Sequence, residues 1–186
     1  MPACPTLLTE RLTLRPFRAD DLEPLHAVMT TDEVRDALHV AGGYGRGDAW
    51  ASLTSYAGLW ELRGFGQWAL EVRDSGRFVG RAGLYWRVEP EWPGVEVGWM
   101  LDPASWGLGY ATEAGARAVR FGFEDLGVDA LYSVILPENT RSQAVARRLG
   151  FERFDQRVLP WFPSQPHEIW RLDRTDGAGT GGPGHV

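Results

Sequence analysis

The segment Glu96-Val97-Gly98-Trp99-Met100-Leu101-Asp102-Pro103, followed closely by Trp106-Gly107-Leu108-Gly109-Tyr110-Ala111-Thr112-Glu113-Ala114, constrains this chain more than any other stretch. It reads as a strand, a glycine-bearing turn and the first turn of a helix. The N–H groups at a helix start have no partner inside the helix, and the aligned peptide dipoles place about half a positive charge there. Glycines at the bend let the backbone approach a ligand closely. The product is an anion cradle suited to a phosphate or diphosphate. A carboxylate, Glu96, stands on the strand that leads into it. A phosphate cradle beside a candidate base implies an enzyme that uses a phosphorylated carrier.

Two other glycine signatures do not fit. A dinucleotide-binding turn follows the first strand of a βαβ unit and carries a third glycine or alanine where this chain has Thr112. A P-loop requires Gly-Lys-Ser/Thr, which does not follow.

The 186 residues favour one domain, or one domain plus a tail, and 44% hydrophobic content is ample for a core. Acidic residues outnumber Lys plus Arg by 25 to 19, a net charge of -6, which argues against nucleic-acid binding. A cationic, amine-bearing substrate is compatible with that balance. The single cysteine, Cys4, excludes an internal disulfide and a zinc-type cluster and reads as an ordinary thiol on a loose terminus. His26, His39, His167 and His185 are scattered without metal spacing, so no metal is expected. No signal-peptide pattern and no membrane-length apolar run are visible, so the expected location is cytoplasmic, with no membrane partner.

Glu10 to Arg15 alternates polar and apolar residues as a half-buried strand does. Asp20-Asp21 open a helix carrying Leu22, Leu25, Val28 and Met29, and a short helical piece spans Asp32 to Leu38. After the loop Gly42 to Gly47, Asp48 is placed to cap a helix through Trp50, Leu53, Tyr56, Ala57 and Trp60. The period then changes: strands at Gln67 to Arg73, Arg77 to Arg87 and Gly94 to Leu101. A helix from Tyr110 to Leu126 follows, then Ala130 to Leu136, whose nearly continuous apolar run suggests burial on both faces. Asn139 to Leu149 is a helix stopped by Gly150, and Glu152 to Leu159 and Glu168 to Leu172 are closing strands. Helices interleaved with a mixed sheet make an α/β or α+β layer fold. Residues 175–186, glycine-rich, are expected to form a disordered tail beyond a single domain spanning 1–174.

These residues resemble the GNAT superfamily of N-acetyltransferases, in particular its RimJ/RimL-like, ribosomal-protein-alanine acetyltransferase branch. Leu7-Leu8-Thr9-Glu10-Arg11-Leu12-Thr13-Leu14-Arg15 resembles the branch's opening, and Val95-Glu96-Val97-Gly98-Trp99 its "E-I-G-Y" strand. Trp106 to Ala114 resembles its pyrophosphate loop, and Asn139-Thr140-Arg141-Ser142 with Leu149-Gly150-Phe151 its later "N-x-x-S … L-G-F" element. Trp106 stands where the wider family has Gln or Arg. The resemblance implies a mixed, mostly antiparallel central sheet flanked by helices, with a splayed parallel strand pair holding the acyl-CoA. It also implies acetyl-CoA as co-substrate and a small-molecule or peptide amine as acceptor. A homodimer is the default oligomer.

Acyl transfer to an amine needs the neutral nucleophile, so a base is useful. Glu96 is the candidate, either directly or through a water; the alternative is a carboxylate paired with an arginine. Backbone N–H groups near Trp99 to Leu101 are placed to meet the oxyanion. Met100, Leu101, Trp106, Gly107, Leu108, Gly109, Tyr110, Ala111 and Thr112 are the expected carrier-binding residues. Relatives carry a Tyr seven residues after the Asn, where this chain has Ala146. Ser142 then becomes the candidate that protonates the leaving thiolate and contacts the carrier, with a helix-cap role as the alternative. Asn139 is expected on the pantetheine arm, with turn capping as its alternative. Trp60, Trp68, Trp86 and Trp170 are assigned to structure. Trp92, Trp99, Trp161 and His167 are the expected acceptor-site residues. The rival reading is a catalytically silent acyl-CoA-binding sensor or scaffold of the same fold.

Overall fold

Leu12 and Leu14 alternate with polar neighbours and are fully buried, so the strand that carries them must lie against a core on one face. A computed structural model describes residues 3–38, 42–160 and 162–174, without the side chains of 162–164. The expected tail at 175–186, His39, His185 and Trp161 lie outside the described residues.

The strands are β1 (Leu7–Leu8), β2 (Leu12–Arg15), β3 (Gln67–Val72), β4 (Phe78–Tyr85), β5 (Glu96–Leu101), β6 (Ala130–Ile135), β7 (Glu152–Leu159) and β8 (Phe162–Asp173). The helices are α1 (Leu22–Met29), α2 (Asp32–Leu38), α3 (Arg46–Arg63), α4 (Tyr110–Glu124) and α5 (Thr140–Arg148). One eight-stranded sheet runs in the order β1-β2-β3-β4-β5-β6-β8-β7. The pair β5–β6 is parallel, and the other neighbours are antiparallel. This is the mixed, mostly antiparallel α/β architecture that the motifs imply.

Alternation along β5 separates two cores. Val97 and Leu101 join a large cluster with Ala114, Ala118 and Phe121 of α4, whereas Met100 joins Leu25, Val28, Val34 and Leu53 of α1, α2 and α3. Helices therefore cover both faces. Trp60, Trp68 and Phe121 pack edge to face, with centroids 4.7–5.6 Å apart. Trp170 is buried and Trp86 lies against the same cluster, so these four tryptophans are structural.

Several local expectations change. β6 is not buried on both faces: Leu131, Ser133 and Ile135 are buried, and Ala130, Tyr132 and Val134 are half-buried. Leu131 and Ile135 serve the large core, and Ser133, Val134 and Ile135 border the smaller cavity described below. Asp48 is not the cap residue of α3; Gly45 is, and the Asp48 carboxylate accepts the Gly45 N–H at 2.8 Å from the third helical position. Cys4 does not sit on a loose end. It packs against the large core, Pro5 accepts the Trp68 indole N–H at 2.9 Å, and burial pushes the Cys4 thiol up to about 12. β8 begins earlier than expected, with Pro166 paired opposite Val158.

A buried ion network joins β2, β3 and the start of α1. Arg15 Nη1 and Nη2 donate to the two oxygens of Asp21 at 2.8 and 2.7 Å, and Arg15 Nε donates to Glu71 at 2.8 Å. The Asp21 hydrogen bond and partner carboxylates raise the Arg15 guanidinium further above its already high ordinary value. Removing Asp21 strips both Nη groups of their carboxylate and leaves the buried guanidinium with Glu71 alone. Asp21→Ala is therefore expected to cost about 3–5 kcal/mol, read as a lower urea midpoint at unchanged m-value.

Candidate active site

The β5–β6 pair opens almost as soon as it forms. Among the described residues Glu96 and Tyr132 are the one pair of β5 and β6 in register, with the Tyr132 N–H donating to Val95 O at 2.9 Å. On its other edge β5 stays paired with β4 from Glu96 to Leu101. The Asp102 N–H donates to Val79 O. Ladder alternation from that point turns the N–H groups of Trp99 and Leu101 away from β4, into the splay.

Beyond the splay the chain makes a short 3₁₀ turn and bends at Gly107 and Gly109, both left-handed (φ 76° and 83°). The turn is held at both ends. Asp102 accepts the Ala104 N–H at 3.2 Å, Arg77 reaches Asp102 and Ser105 at 3.0 Å each, and Trp106 Nε1 donates to Leu101 O at 2.8 Å. Arg141 of α5 lies 4.5 Å over the Trp106 ring, so a cation stands beside the position where a Gln or Arg was missing.

Gly109 is the cap residue of α4 and offers no side chain, so the N–H groups of the first turn keep no capping partner. The one acid in that turn, Glu113, is turned away. Its Oε1 accepts from Thr9 Oγ1 at 2.6 Å and Arg11 N at 2.8 Å, and its Oε2 from Arg11 Nε at 2.7 Å. Burial pushes the Glu113 carboxyl up, but these hydrogen bonds outweigh it and the net shift is downward. Arg11 also donates to Leu108 O at 2.8 Å and stacks 4.9 Å from the Tyr110 ring.

Two cavities meet at the splay. The larger, about 1370 Å³, is bounded by Met100, Leu101, Trp106, Gly107, Gly109, Tyr110, Ala111 and Thr112. The smaller, about 510 Å³, is bounded by Glu96, Trp92 and His167. Trp99, Leu136, Asn139 and Ser142 border both. The sequence-derived residues thus fall into a carrier-sized cleft, an acceptor-sized hollow and a shared wall. Leu108 is the exception, since its side chain is 48% exposed and only its backbone belongs to the bend.

Asn139 and Ser142 resolve into distinct parts. Asn139 is the cap of α5: its Oδ1 accepts the Ser142 N–H at 3.0 Å, and its Nδ2 donates to Ala37 O at 3.3 Å. Ser142 is therefore not the cap, and its hydroxyl has no hydrogen-bond partner among the described residues. Ala146 is fully buried in the large core, so position 146 faces away from the cleft.

Glu96 sits where the two strands part. Burial pushes its carboxyl up to about 7, against the opposing pull of Arg81, the Val134 N–H that the splay releases, and Arg87. Sequence reading missed Arg81 and Gln67. Arg81 Nη1 donates to Gln67 Oε1 at 3.0 Å, and both side chains border the smaller cavity with Glu96. Among the described residues, no group of three or more His, Cys, Asp or Glu side chains converges as a metal site. No helix there is long and apolar enough to cross a membrane.

The profile of the acetyltransferase (GNAT) domain matches residues 11–152. The chain belongs to the GNAT acetyltransferase family. This GNAT chain is similar to the uncharacterized N-acetyltransferase YoaA of Bacillus subtilis (strain 168), at 26% identity over 80% of this chain and 84% of that one. Among solved structures it is similar to the acetyltransferase of Agrobacterium tumefaciens str. C58, with a TM-score of 0.78 and 29% identity over 94% and 97% of the two chains. The ribosomal-protein-S5-alanine acetyltransferase of Vibrio fischeri shares the fold alone, with a TM-score of 0.71 at 14% identity over 92% and 98% of the chains. The GNAT chain is thus an acyltransferase, and GNAT acetyltransferases use acetyl-CoA as co-substrate. The larger cleft fits that co-substrate: uncapped N–H groups and two left-handed glycines offer an anion cradle, and nothing lies within 4 Å of the position a Cβ would take on Gly107.

Proposed function

We propose that this enzyme transfers the acetyl group of acetyl-CoA to a primary amine, with direct attack of the amine at the junction of the two cavities. The carrying observation is that Trp99, Asn139 and Ser142 border both cavities while Glu96 borders only the smaller one. In this reading the first-turn N–H groups of α4 and the bend at Gly107 to Gly109 hold the diphosphate. Met100, Leu101, Trp106 and Asn139 line the path of the pantetheine arm. Residues 1–174 act as one catalytic domain of the RimJ/RimL-like branch, a placement supported by the opening and loop motifs.

The amine enters as an ammonium and gives one proton to Glu96. Its lone pair then forms the new N–C bond, and the C–S bond breaks with its electrons leaving on sulfur. The second nitrogen proton ends on sulfur through the Ser142 hydroxyl, and Glu96 releases its own proton to solvent. A base near 7 suits this work at neutral pH. The inward N–H groups of Trp99 and Leu101 are placed to stabilise the negative oxygen. Trp92, Trp99 and His167 shape the acceptor side.

Thiol release from acetyl-CoA, followed over a panel of amines, tests the reading. Amine-dependent release is expected. Intact carrier binding without release on any amine would favour the silent sensor. Ser142→Ala is expected to lower kcat by about tenfold or more at unchanged melting temperature, because its hydroxyl makes no hydrogen bond among the described residues. An unchanged kcat would leave water as the proton source.

A further inference from the structure

We infer that the acceptor is a small α-amino acid or close analogue, its amine directed at Glu96 and its carboxylate held by Arg81 across a hollow over Gly98. This rests on the acetyl-transfer reading above and narrows its acceptor. The hollow has a local cause. Gly83 and Gly98 are register partners on β4 and β5, and Gln67 of β3 is the partner of Gly83 from the other side. Gly98 leaves the sheet face bare at this point, whereas Gly83 beside it is packed against the Gly66 backbone and the Trp68 ring and serves the close approach of β3 to β4. A Cβ built on Gly98 would lie 3.7 Å from Gln67 Nε2, 3.7 Å from Glu96 Oε1 and 3.9 Å from Arg81 Nη1. Polar groups from three strands therefore surround one small empty volume.

Their chemistry complements a zwitterion. Glu96 accepts from an ammonium, and Arg81 donates to a carboxylate. Arg81 is held in place: besides its bond to Gln67, its guanidinium lies 5.3 Å over the Tyr56 ring. Yet its buried Nε has no hydrogen-bond partner, and it forms no ion pair with a described carboxylate. Glu96 acts on this half-buried guanidinium only at a distance, so a ligand carboxylate gives it the direct ionic partner it lacks among the described residues. Arg87 borders the same cavity, so a polycation would enter against two arginines with Glu96 as its one described carboxylate. Glu96 Oε1 and Arg81 Nη1 stand 3.7 and 3.9 Å from one point, the Gly98 Cβ position, so a ligand that bridges them carries its amine and its carboxylate close together. Tyr85 and Trp92, edge to face at 6.1 Å, supply an apolar wall for a side chain.

The test measures thiol release by the full-length protein at saturating acetyl-CoA. The acceptors are L-phenylalanine, L-methionine and L-leucine, each beside its own carboxamide, together with spermidine and an unblocked tripeptide. The free acids are expected to exceed their amides in kcat/KM by about 10–100-fold. Arg81→Met is expected to bring that ratio to within about threefold, through the KM of the acids, and Arg81→Lys to restore part of it. Gly98→Ala meets only ordinary contacts and is expected to raise KM for acids and amides alike. Binding of coenzyme A, titrated separately, is expected to be unchanged in all three variants. Amides, spermidine or the tripeptide used as well as the free acids, or an acid preference that survives Arg81→Met, would overturn the inference alone. No release on any amine while coenzyme A still binds would overturn the transfer reading, and the inference with it.

Discussion

Glu96→Gln is expected to lower kcat by about 100–10,000-fold while leaving the affinity for coenzyme A nearly unchanged. Glu96 borders the smaller cavity and not the carrier cleft, so its neutral analogue removes a proton acceptor without disturbing the cradle. The pH dependence carries a second signature. A base pushed up to about 7 is ionised above that value. The parent kcat is expected to rise about tenfold per pH unit below about 7 and level off above it, and the variant to lose that limb. Stability moves the other way. A carboxyl raised by the fold is most comfortable neutral, so the parent loses stability as pH rises from the ordinary carboxylate range through about 7, and no further beyond. Glu96→Gln cannot ionise there, and its melting temperature at pH 8.5 is expected to exceed the parent's. A variant that matches the parent's kcat from pH 6 to 9 would remove Glu96 from the chemistry.

Gly109→Glu is expected to weaken carrier binding by at least about 100-fold. Two effects act at this position, and a second variant separates them. Gly109 is left-handed, so any side chain there is strained by about 1–2 kcal/mol. An added Cβ would also stand 3.2 Å from Arg11 Nη2, the end of a flexible side chain that can shift. Gly109→Ala carries these costs alone and is expected to change affinity by less than about tenfold. The glutamate adds a negative charge at the helix start, competing with a diphosphate for the same N–H groups. Its excess effect over alanine is expected to shrink with salt. Equal affinities for the glutamate and alanine variants, by equilibrium titration, would place the carrier elsewhere.

What the sequence made legible follows from how local each feature is. The bend at Gly107 to Gly109 is one contiguous segment whose backbone conformation demands glycine, so the residues themselves announce it. Glu96 was found because it precedes that bend on the same strand. Arg81 and Gln67 were missed because their convergence with Glu96 exists only through the register of β3, β4 and β5. A face-by-face pairing of those strands around Gly83 and Gly98 is the signal that would have found them. The double burial expected of β6 failed for a related reason. Val134 borders the smaller cavity, and the Tyr132 ring lies beside Gly94 and Arg171, so neither is packed into a second core. Asp48 marks the start of α3 without being its cap, because a carboxylate at the third position satisfies the helix start by reaching back to the Gly45 N–H. Pro163 and Pro166 obscured the beginning of β8, since proline lacks the ladder donor. Asn139 was ambiguous between ligand and cap, and its bond to the Ser142 N–H gives it the cap while freeing the Ser142 hydroxyl.

The most direct test of the account is a calorimetric titration of the full-length protein with acetyl-CoA. One molecule bound per chain, with micromolar affinity that falls in Gly109→Glu and persists in Glu96→Gln, is the expected result. Absence of binding heat, or equal binding by the parent and Gly109→Glu, would contradict it.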